Sequence, residues 1–149
     1  MDLQPRLDEP GVRAVLDVLA WRGEPGEVDR LADRYRDPGT RLLGLVVESS
    51  WQAQDVSPGT PIACIGLEPR DRDEAEITAL AVLPEWRRQD MARRLVYGAC
   101  EHVGLRAIEA ETDADAVGFY RAVGFAVASL GEGRPGVERF RCRLDLPPR

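Results

Sequence analysis

The stretch ITALAVLPEWRRQDMARRL, Ile77 to Leu95, decides the fold of this chain. Its first half alternates between two sets of side chains, which predicts a strand from Glu74 to Leu83 that Pro84 ends. Its second half repeats apolar residues at helical spacing, which predicts a helix from about Asp90 to Val103. A strand that turns directly into a helix presents unpaired backbone N–H groups at the positive end of the helix dipole. The junction is therefore a candidate anion site.

Two helices precede this junction, and strands and helices alternate after it. A strand–helix–strand unit from Ile77 to Ala110 requires parallel pairing through a crossover, whereas the predicted hairpins require antiparallel pairing. We therefore predict an α+β (mixed α/β) fold in a single domain, residues 1–149, because no repeat or linker divides the chain. The other predicted elements are an edge strand Asp2–Arg6, helices Pro10–Arg22 and Pro25–Arg36, strands Arg41–Glu48, Ile62–Glu68 and Leu105–Ala110, a helix capped by Thr112 and Asp115 that runs to Val123, and strands Phe125–Leu130 and Val137–Leu144.

The composition argues against several classes of protein. No apolar run approaches the ~20 residues of a membrane span, and the charged N-terminus lacks the apolar stretch of a signal peptide, so we expect a cytoplasmic protein without a membrane partner. A net charge of −6 and scattered arginines argue against a nucleic-acid partner. Three widely spaced cysteines and a single histidine predict buried free thiols and no metal site.

Arg87 and Arg88 lie in the turn between the predicted strand and helix. Arginine forms bidentate, charge-assisted contacts, so a diphosphate fits this turn better than a single carboxylate does. Taken alone the pattern is weak, because an arginine-rich helix start is also typical of a solvated turn.

A second segment, ETDADAVGFYRAVGF from Glu111 to Phe125, changes this assessment. Together the two segments resemble the core of the GNAT superfamily, the acyl-CoA-dependent N-acyltransferases. The family's first motif is a strand ending in Val-x-Pro followed by Arg/Gln-x-x-Gly-x-Gly/Ala, and Asp90 stands where the first glycine is expected. The second motif is Asn-x-x-Ala-x-x-Phe-Tyr-x-x-x-Gly-Phe, and Asp113 replaces its asparagine. The matching residues are Val82, Pro84, Arg87, Ala92, Ala116, Phe119, Tyr120, Gly124 and Phe125.

The resemblance implies both a fold and an activity. The fold would be a mostly antiparallel sheet of about six to seven strands flanked by about four helices. The activity would be transfer of an acetyl group from acetyl-CoA, as co-substrate, to a primary amine of a small molecule or peptide, with Tyr120 protonating the departing CoA thiolate. Homodimers are common in the family, and a homodimer is therefore compatible with this resemblance.

The resemblance also assigns residues to the cofactor. The backbone of Leu80, Ala81 and Val82 would pair with the pantetheine arm. Asp113 and Phe119, in the second motif, would complete the cofactor site. The pyrophosphate would be held by the run Arg87, Arg88, Gln89, Asp90, Met91, Ala92 and Arg93.

Acyl transfer to an amine requires the neutral amine, and an alkylamine has a pKa of about 10.4, so a base or a desolvating pocket must remove a proton. Glu76 is the candidate base, because it lies on the predicted strand and shares a face with Leu80 and Val82. Glu48 and Asp113 are rivals, and a chain of water molecules is a further route.

In this family the early helices and nearby loops usually shape the acceptor pocket, here Trp21 to Tyr35 and the loop around Trp51. Up to Gly39 the chain carries nine acids and six arginines, a net charge of −3. A cationic acceptor suits this region, although acids on helices are also typical of a solvated face.

Asp90 raises a question about the anion site. A carboxylate there repels a phosphate, yet aspartate is a favoured helix N-cap and tolerates left-handed backbone. The chain contains no asparagine, and this bias explains Asp113, but the bias does not explain the loss of a glycine. Three hypotheses stay open: an active N-acetyltransferase with a tolerated variant, a catalytically inactive GNAT-fold module that binds acyl-CoA or regulates, and an enzyme damaged by an isolated substitution.

Overall fold

The computed structural model describes residues 1–19, 26–48, 56–87 and 90–147. Two compact units are present, one formed by Met1–Glu68 with Thr78–Ala99 and the other by Pro69–Ile77 with Cys100–Arg149. The helices are α1 (Pro10–Asp17), α2 (Glu27–Arg34), α3 (Met91–Val103) and α4 (Val117–Val123). The strands are β1 (Arg41–Val46), β2 (Pro61–Pro69), β3 (Glu74–Val82), β4 (Ala107–Asp113), β5 (Ala126–Arg134) and β6 (Val137–Asp145), hydrogen-bonded in the order β1-β2-β3-β4-β6-β5. The predicted α+β class with a mixed, mostly antiparallel sheet is confirmed.

The first unit is built on the antiparallel pairing of β1 with β2, from Arg41 opposite Leu67 to Val46 opposite Pro61. Apolar side chains of α1 and α2 bury against this hairpin and the end of β3, and each fully buried leucine or valine contributes about 1.5–3 kcal/mol. The cluster contains Leu3, Leu7, Val12, Val15, Leu16, Ala32, Tyr35, Leu42, Cys64, Ala79 and Ala81. The hydroxyl end of Tyr35 lies against Gly66, where an added Cβ would come within 2.7 Å of two carbon atoms of the Tyr35 ring. Only a glycine therefore leaves room for this aromatic ring.

The predicted edge strand Asp2–Arg6 is wrong. A single bridge joins Asp2 to Leu43, and the chain then turns into a short 3-10 helix, Gln4–Arg6. Pro5 lacks an N–H to continue a strand ladder. The Gln4 side-chain amide also donates to the carbonyl oxygens of Tyr35 and Thr40, at 3.0 and 2.8 Å, which fixes the turn.

The second unit is built on the parallel pairing of the first half of β3 with β4, from Glu74 opposite Ala107 to Glu76 opposite Glu109. β6 pairs antiparallel with β4 on one side and with β5 on the other. The predicted crossover from β3 through α3 to β4 is confirmed, because these two strands are the parallel pair. β4 begins and ends later than predicted, and it continues as far as Asp113.

The last hairpin is longer than the sequence predicts. β5 runs to Arg134 instead of ending at Leu130, so most of the turn-rich GEGRPG segment is paired with β6. Gly131 and Gly136 both adopt positive φ, and a register shift lies between Ser129 and Gly131. Glycines therefore accommodate a bulge within the strand as well as the turn at its end.

The three cysteines, Cys64, Cys100 and Cys142, are buried free thiols, as predicted. Burial raises the pKa of Cys64 to about 12 and that of Cys100 to about 11. In the described part of the chain, no helix is long and apolar enough to cross a membrane.

Candidate functional site

The strand that leads into the candidate anion site ends at Val82. Leu80 is half-buried, while Ala81 and Val82 are buried. Leu83 still donates its N–H to the Ile62 carbonyl at 2.9 Å, and the chain then enters a 3-10 turn, Pro84–Trp86. The strand, turn and helix α3 thus follow one another as the sequence predicts.

Arg87 turns back onto the strand. Its Nε donates to the Val82 carbonyl oxygen at 3.1 Å, so this carbonyl already has a partner. A pantetheine amide bonding to the Val82 carbonyl would have to share or displace Arg87. The predicted contact of the Arg87 side chain with a pyrophosphate stays a prediction, and Arg88 and Gln89 lie outside the described residues.

Asp90 is the only described residue other than glycine with a positive φ, at 58°. Its carbonyl accepts the hydrogen bond from the Arg94 N–H at 3.1 Å, the first i→i+4 bond of helix α3 among the described residues. The residue is exposed. Asp90 therefore occupies the N-cap position in the left-handed conformation that a glycine would adopt most easily, and the turn forms without the glycine.

The first turn of α3 carries the remaining residues assigned to the pyrophosphate. The N–H groups of Met91, Ala92 and Arg93 precede the first intrahelical bond, so they lack partners within the helix. Met91 is buried, which leaves its backbone rather than its side chain for an anion. Arg93 is exposed, and its guanidinium lies 5.4 Å from the centre of the Tyr97 ring.

The second motif lies in the second unit, between β4 and α4. Asp113 Oδ1 accepts hydrogen bonds from the N–H groups of Asp115 at 3.0 Å and Ala116 at 3.1 Å. The predicted cap by Thr112 and Asp115 is therefore wrong, because Thr112 is buried within β4 and Asp113 holds the turn. An aspartate holds this turn, which precedes α4, as well as an asparagine does.

Tyr120 lies on α4 between two other aromatic rings. The ring centres of Phe119 and Phe125 are 5.1 and 5.2 Å away, both edge-on to Tyr120. The side chain is buried, with 8% of its surface exposed. Burial raises the pKa of Tyr120 to about 12, and the neighbouring Cys142 thiol adds to the shift. The phenol is therefore protonated at neutral pH, as a general acid must be.

Glu76 lies on the half-exposed side of β3, together with Thr78 and Leu80. Its carboxylate forms ion pairs with Arg70 and with Arg141, so receiving a proton means weakening both pairs. The two rival bases have different surroundings. Glu48 is exposed, whereas Asp113 accepts two hydrogen bonds in the turn before α4.

The arginines that pair with Glu76 are candidate functional residues that were not predicted from the sequence. Arg139, Arg141 and Arg143 alternate along β6 and pair with acids of β3 and β4. The alternating arginines of RFRCR, residues 139–143, are visible in the sequence. The strand register that decides which acids they pair with is not.

The predicted acceptor region is partly outside the described residues, including Trp21 and Trp51. Within the described residues, several acids of the first 39 residues face arginines, as in the pairs Arg13–Asp29 and Arg30–Glu27. Tyr35 is buried, and its hydroxyl lies 2.9 Å from Thr78 Oγ1. No group of three potential metal ligands gathers anywhere in the described chain.

Comparison with known proteins gives the family. A model of the Acetyltransferase (GNAT) family matches residues 15–125. No curated protein sequence matches the chain. A GNAT-family protein from Desulfovibrio desulfuricans is similar in structure, with 20% identity, 94% of this chain and 93% of that chain covered, and a TM-score of 0.69.

Two further structural neighbours have named substrates. An aminoglycoside 6'-N-acetyltransferase complexed with coenzyme A shares 16% identity over 95% of this chain and 94% of that chain, with a TM-score of 0.70. The ribosomal-protein-S18-alanine N-acetyltransferase from Escherichia coli shares 18% identity over 95% and 91%, with a TM-score of 0.63. At these identities the likeness shows the fold alone, whereas the match to the family model covers most of the chain. The chain belongs to the GNAT family of acetyltransferases.

Proposed function

We propose that the protein transfers an acetyl group from acetyl-CoA to a primary amine of a small molecule or peptide, with Tyr120 as the general acid. The observation that carries this proposal is the position of Tyr120, which is buried and in register with the family's second motif. Its pKa of about 12 keeps the phenol protonated at neutral pH. Structural neighbours that acetylate an aminoglycoside or a ribosomal protein support an amine acceptor.

The reaction requires two proton movements. The neutral amine attacks the thioester carbonyl, a C–N bond forms, and the C–S bond breaks to release the CoA thiolate. Tyr120 gives its proton to that thiolate. An ordinary thiol has a pKa of about 8.5, below that of the buried phenol, so this transfer requires the thiolate to be released into a site that disfavours its negative charge.

Glu76 receives the proton of the acceptor amine in this scheme. Its carboxylate lies on the same face of β3 as Leu80, whose backbone we assign to the acyl-CoA. Backbone N–H groups at the start of α3 bind the pyrophosphate, with Arg93 adding positive charge.

The test is an acetylation assay with acetyl-CoA and a panel of primary amines that includes polyamines, aminoglycosides and peptides with free N-termini. Products are identified by mass spectrometry. We expect at least one amine to be turned over, and we expect Tyr120→Phe to lower kcat by about 100-fold or more. Calorimetric binding of acetyl-CoA controls for damage to the donor site and should be the same in the variant. Unchanged kcat in Tyr120→Phe would remove the phenol from the mechanism.

Asp90 favours a second candidate function, a catalytically inactive module that binds acyl-CoA or regulates. The carboxylate stands at the turn where the family motif has glycine. Tight binding of acetyl-CoA without turnover of any amine in the panel would support this alternative. A homodimer, a single domain and a cytoplasmic location stay predictions, and gel filtration coupled to light scattering tests the first of them.

A further inference from the structure

Two glutamates face each other on the sheet of the second unit. Glu76 of β3 and Glu109 of β4 are direct partners in the parallel pairing. Like charges on directly paired residues destabilise a sheet. Arg141 of β6 offsets this repulsion, because its Nη1 lies 3.3 Å from Glu76 Oε1 and 3.3 Å from Glu109 Oε2. One guanidinium group thus bridges the two carboxylates.

Two further arginines contact this pair, one at each glutamate. Arg70, in the segment after β2, pairs with Glu76, and Arg143 pairs with Glu109 at 2.7 Å. Arg143 also pairs with Glu74, the next acid along β3. The side chains of Glu76 and Glu109 are 16% and 30% exposed, so water screens these charges incompletely. The guanidinium group of Arg141 therefore lies within 3.3 Å of both carboxylates, where it offsets their mutual repulsion directly.

We propose that Arg141 is a positioning residue for the acyl transfer, which holds Glu76 ionised and fixed beside Glu109 so that Glu76 is ready to accept the proton of the amine. This proposal rests on the function proposed above. Without the guanidinium, two adjacent carboxylates resist simultaneous ionisation, so one of the pair keeps a proton from solvent up to a higher pH, although Arg70 and Arg143 still pair with Glu76 and Glu109. A Glu76 that already carries this proton cannot accept another from the substrate.

The first test measures the carboxylates directly. The side-chain carboxyl ¹³C signals of Glu76 and Glu109 are followed by NMR from pH 3 to 8 and assigned with Glu76→Gln and Glu109→Gln variants. In Arg141→Gln, we expect the higher titration midpoint of the pair to rise by at least about one pH unit, the order of shift that a neighbouring charge causes. Arg141→Lys keeps the positive charge and should restore most of the original midpoint.

Arg139→Gln is the matched control. Arg139 lies on the same strand, and it pairs with Glu111 at 3.3 Å rather than with Glu76 or Glu109. Its replacement by glutamine removes one positive charge, as the replacement of Arg141 does. We expect this variant to leave the midpoints of Glu76 and Glu109 in place. A shift in Arg141→Gln no larger than the shift in Arg139→Gln would overturn the proposal.

The second test is the pH profile of kcat/KM with an amine that the protein acetylates. The acid-side break in Arg141→Gln should move to higher pH by the same amount as the NMR midpoint, and Arg141→Lys should restore it. A break that stays in place while the midpoint moves would overturn the role of Arg141 in the reaction. If the unmodified protein turns over no amine, the proposed function fails and this role fails with it, whereas unshifted carboxylates in an active enzyme overturn the role of Arg141 alone.

Discussion

Replacing Asp90 should strengthen the binding of acetyl-CoA. The residue is exposed and lies at the start of α3, where the N–H groups of the first turn lack intrahelical partners. A carboxylate about 6 Å from a diphosphate with roughly two charges, at an effective dielectric constant near 60, costs about 2 kcal/mol of binding free energy. Screening at physiological salt lowers this repulsion to about 1 kcal/mol. We therefore expect Asp90→Asn to bind acetyl-CoA about 5- to 30-fold more tightly.

Comparing Asp90→Asn with Asp90→Gly separates two reasons for a gain in acetyl-CoA affinity. Asparagine tolerates the φ of 58° about as well as aspartate does, so Asp90→Asn changes the charge and little else. Asp90→Gly removes the charge and also the side chain. A further gain from glycine would mean that the phosphate approaches the backbone closely. Folding stability should change by less than about 1 kcal/mol in Asp90→Gly, because relief of the left-handed strain offsets the greater freedom of glycine in the unfolded chain.

Isothermal titration calorimetry at low and high salt measures these affinities. The control is Asp115→Asn, which neutralises an exposed aspartate outside the turn between β3 and α3. The gain in Asp90→Asn should shrink as salt increases, since screening weakens the repulsion that the variant removes. Affinities within twofold of the unmodified protein for both Asp90 variants would refute the repulsion argument, and Asp90 would then be a cap that the anion site tolerates.

Three other measurements test the packing at Gly66, the turn at Asp113 and the ionisation of Tyr120. Gly66→Ala should lower the free energy of unfolding by about 1–3 kcal/mol in urea titrations, because the new Cβ overlaps the Tyr35 ring; Gly118→Ala, with no atom within 4 Å of its new Cβ, should not be destabilised. Asp113→Ala should cost about 0.5–2 kcal/mol through loss of the two hydrogen bonds that hold the turn before α4, and Asp113→Asn should retain stability; equal losses in both would contradict this role of the side-chain oxygen. Between about pH 10 and 12 the folded state keeps the Tyr120 proton that the unfolded chain loses, so stability should fall as pH rises, by up to about 2.7 kcal/mol from this group. Tyr120→Phe should flatten this part of the pH dependence, and an unchanged slope would show that Tyr120 titrates normally.

The junction between β3 and α3 is predictable because its signals are local. Alternation along the strand, a proline after it and helical spacing of apolar residues together fix three consecutive elements. The left-handed backbone at Asp90 follows from the same reasoning, since the family motif has glycine there and aspartate tolerates that conformation.

The errors lie where distant residues decide the outcome. The segment Asp2–Arg6 turns into a 3-10 helix because Gln4 reaches two carbonyl groups more than 30 residues away. The sequence predicts a cap by Thr112 and Asp115 instead of a turn held by Asp113, because β4 continues further than its apolar residues indicate. The bridge by Arg141 depends on strand register, and register is not visible in a single sequence.

The buried cysteines have a practical consequence for studying catalysis. Disulfide-exchange reagents react with the thiolate, and Cys64 and Cys100 are both buried and have raised pKa values, while Cys142 is fully buried. The folded protein should therefore contribute almost no background to a colorimetric assay that counts free thiols. Each new thiol that such an assay detects would be one molecule of CoA released, so turnover can be followed continuously with the cysteines left in place.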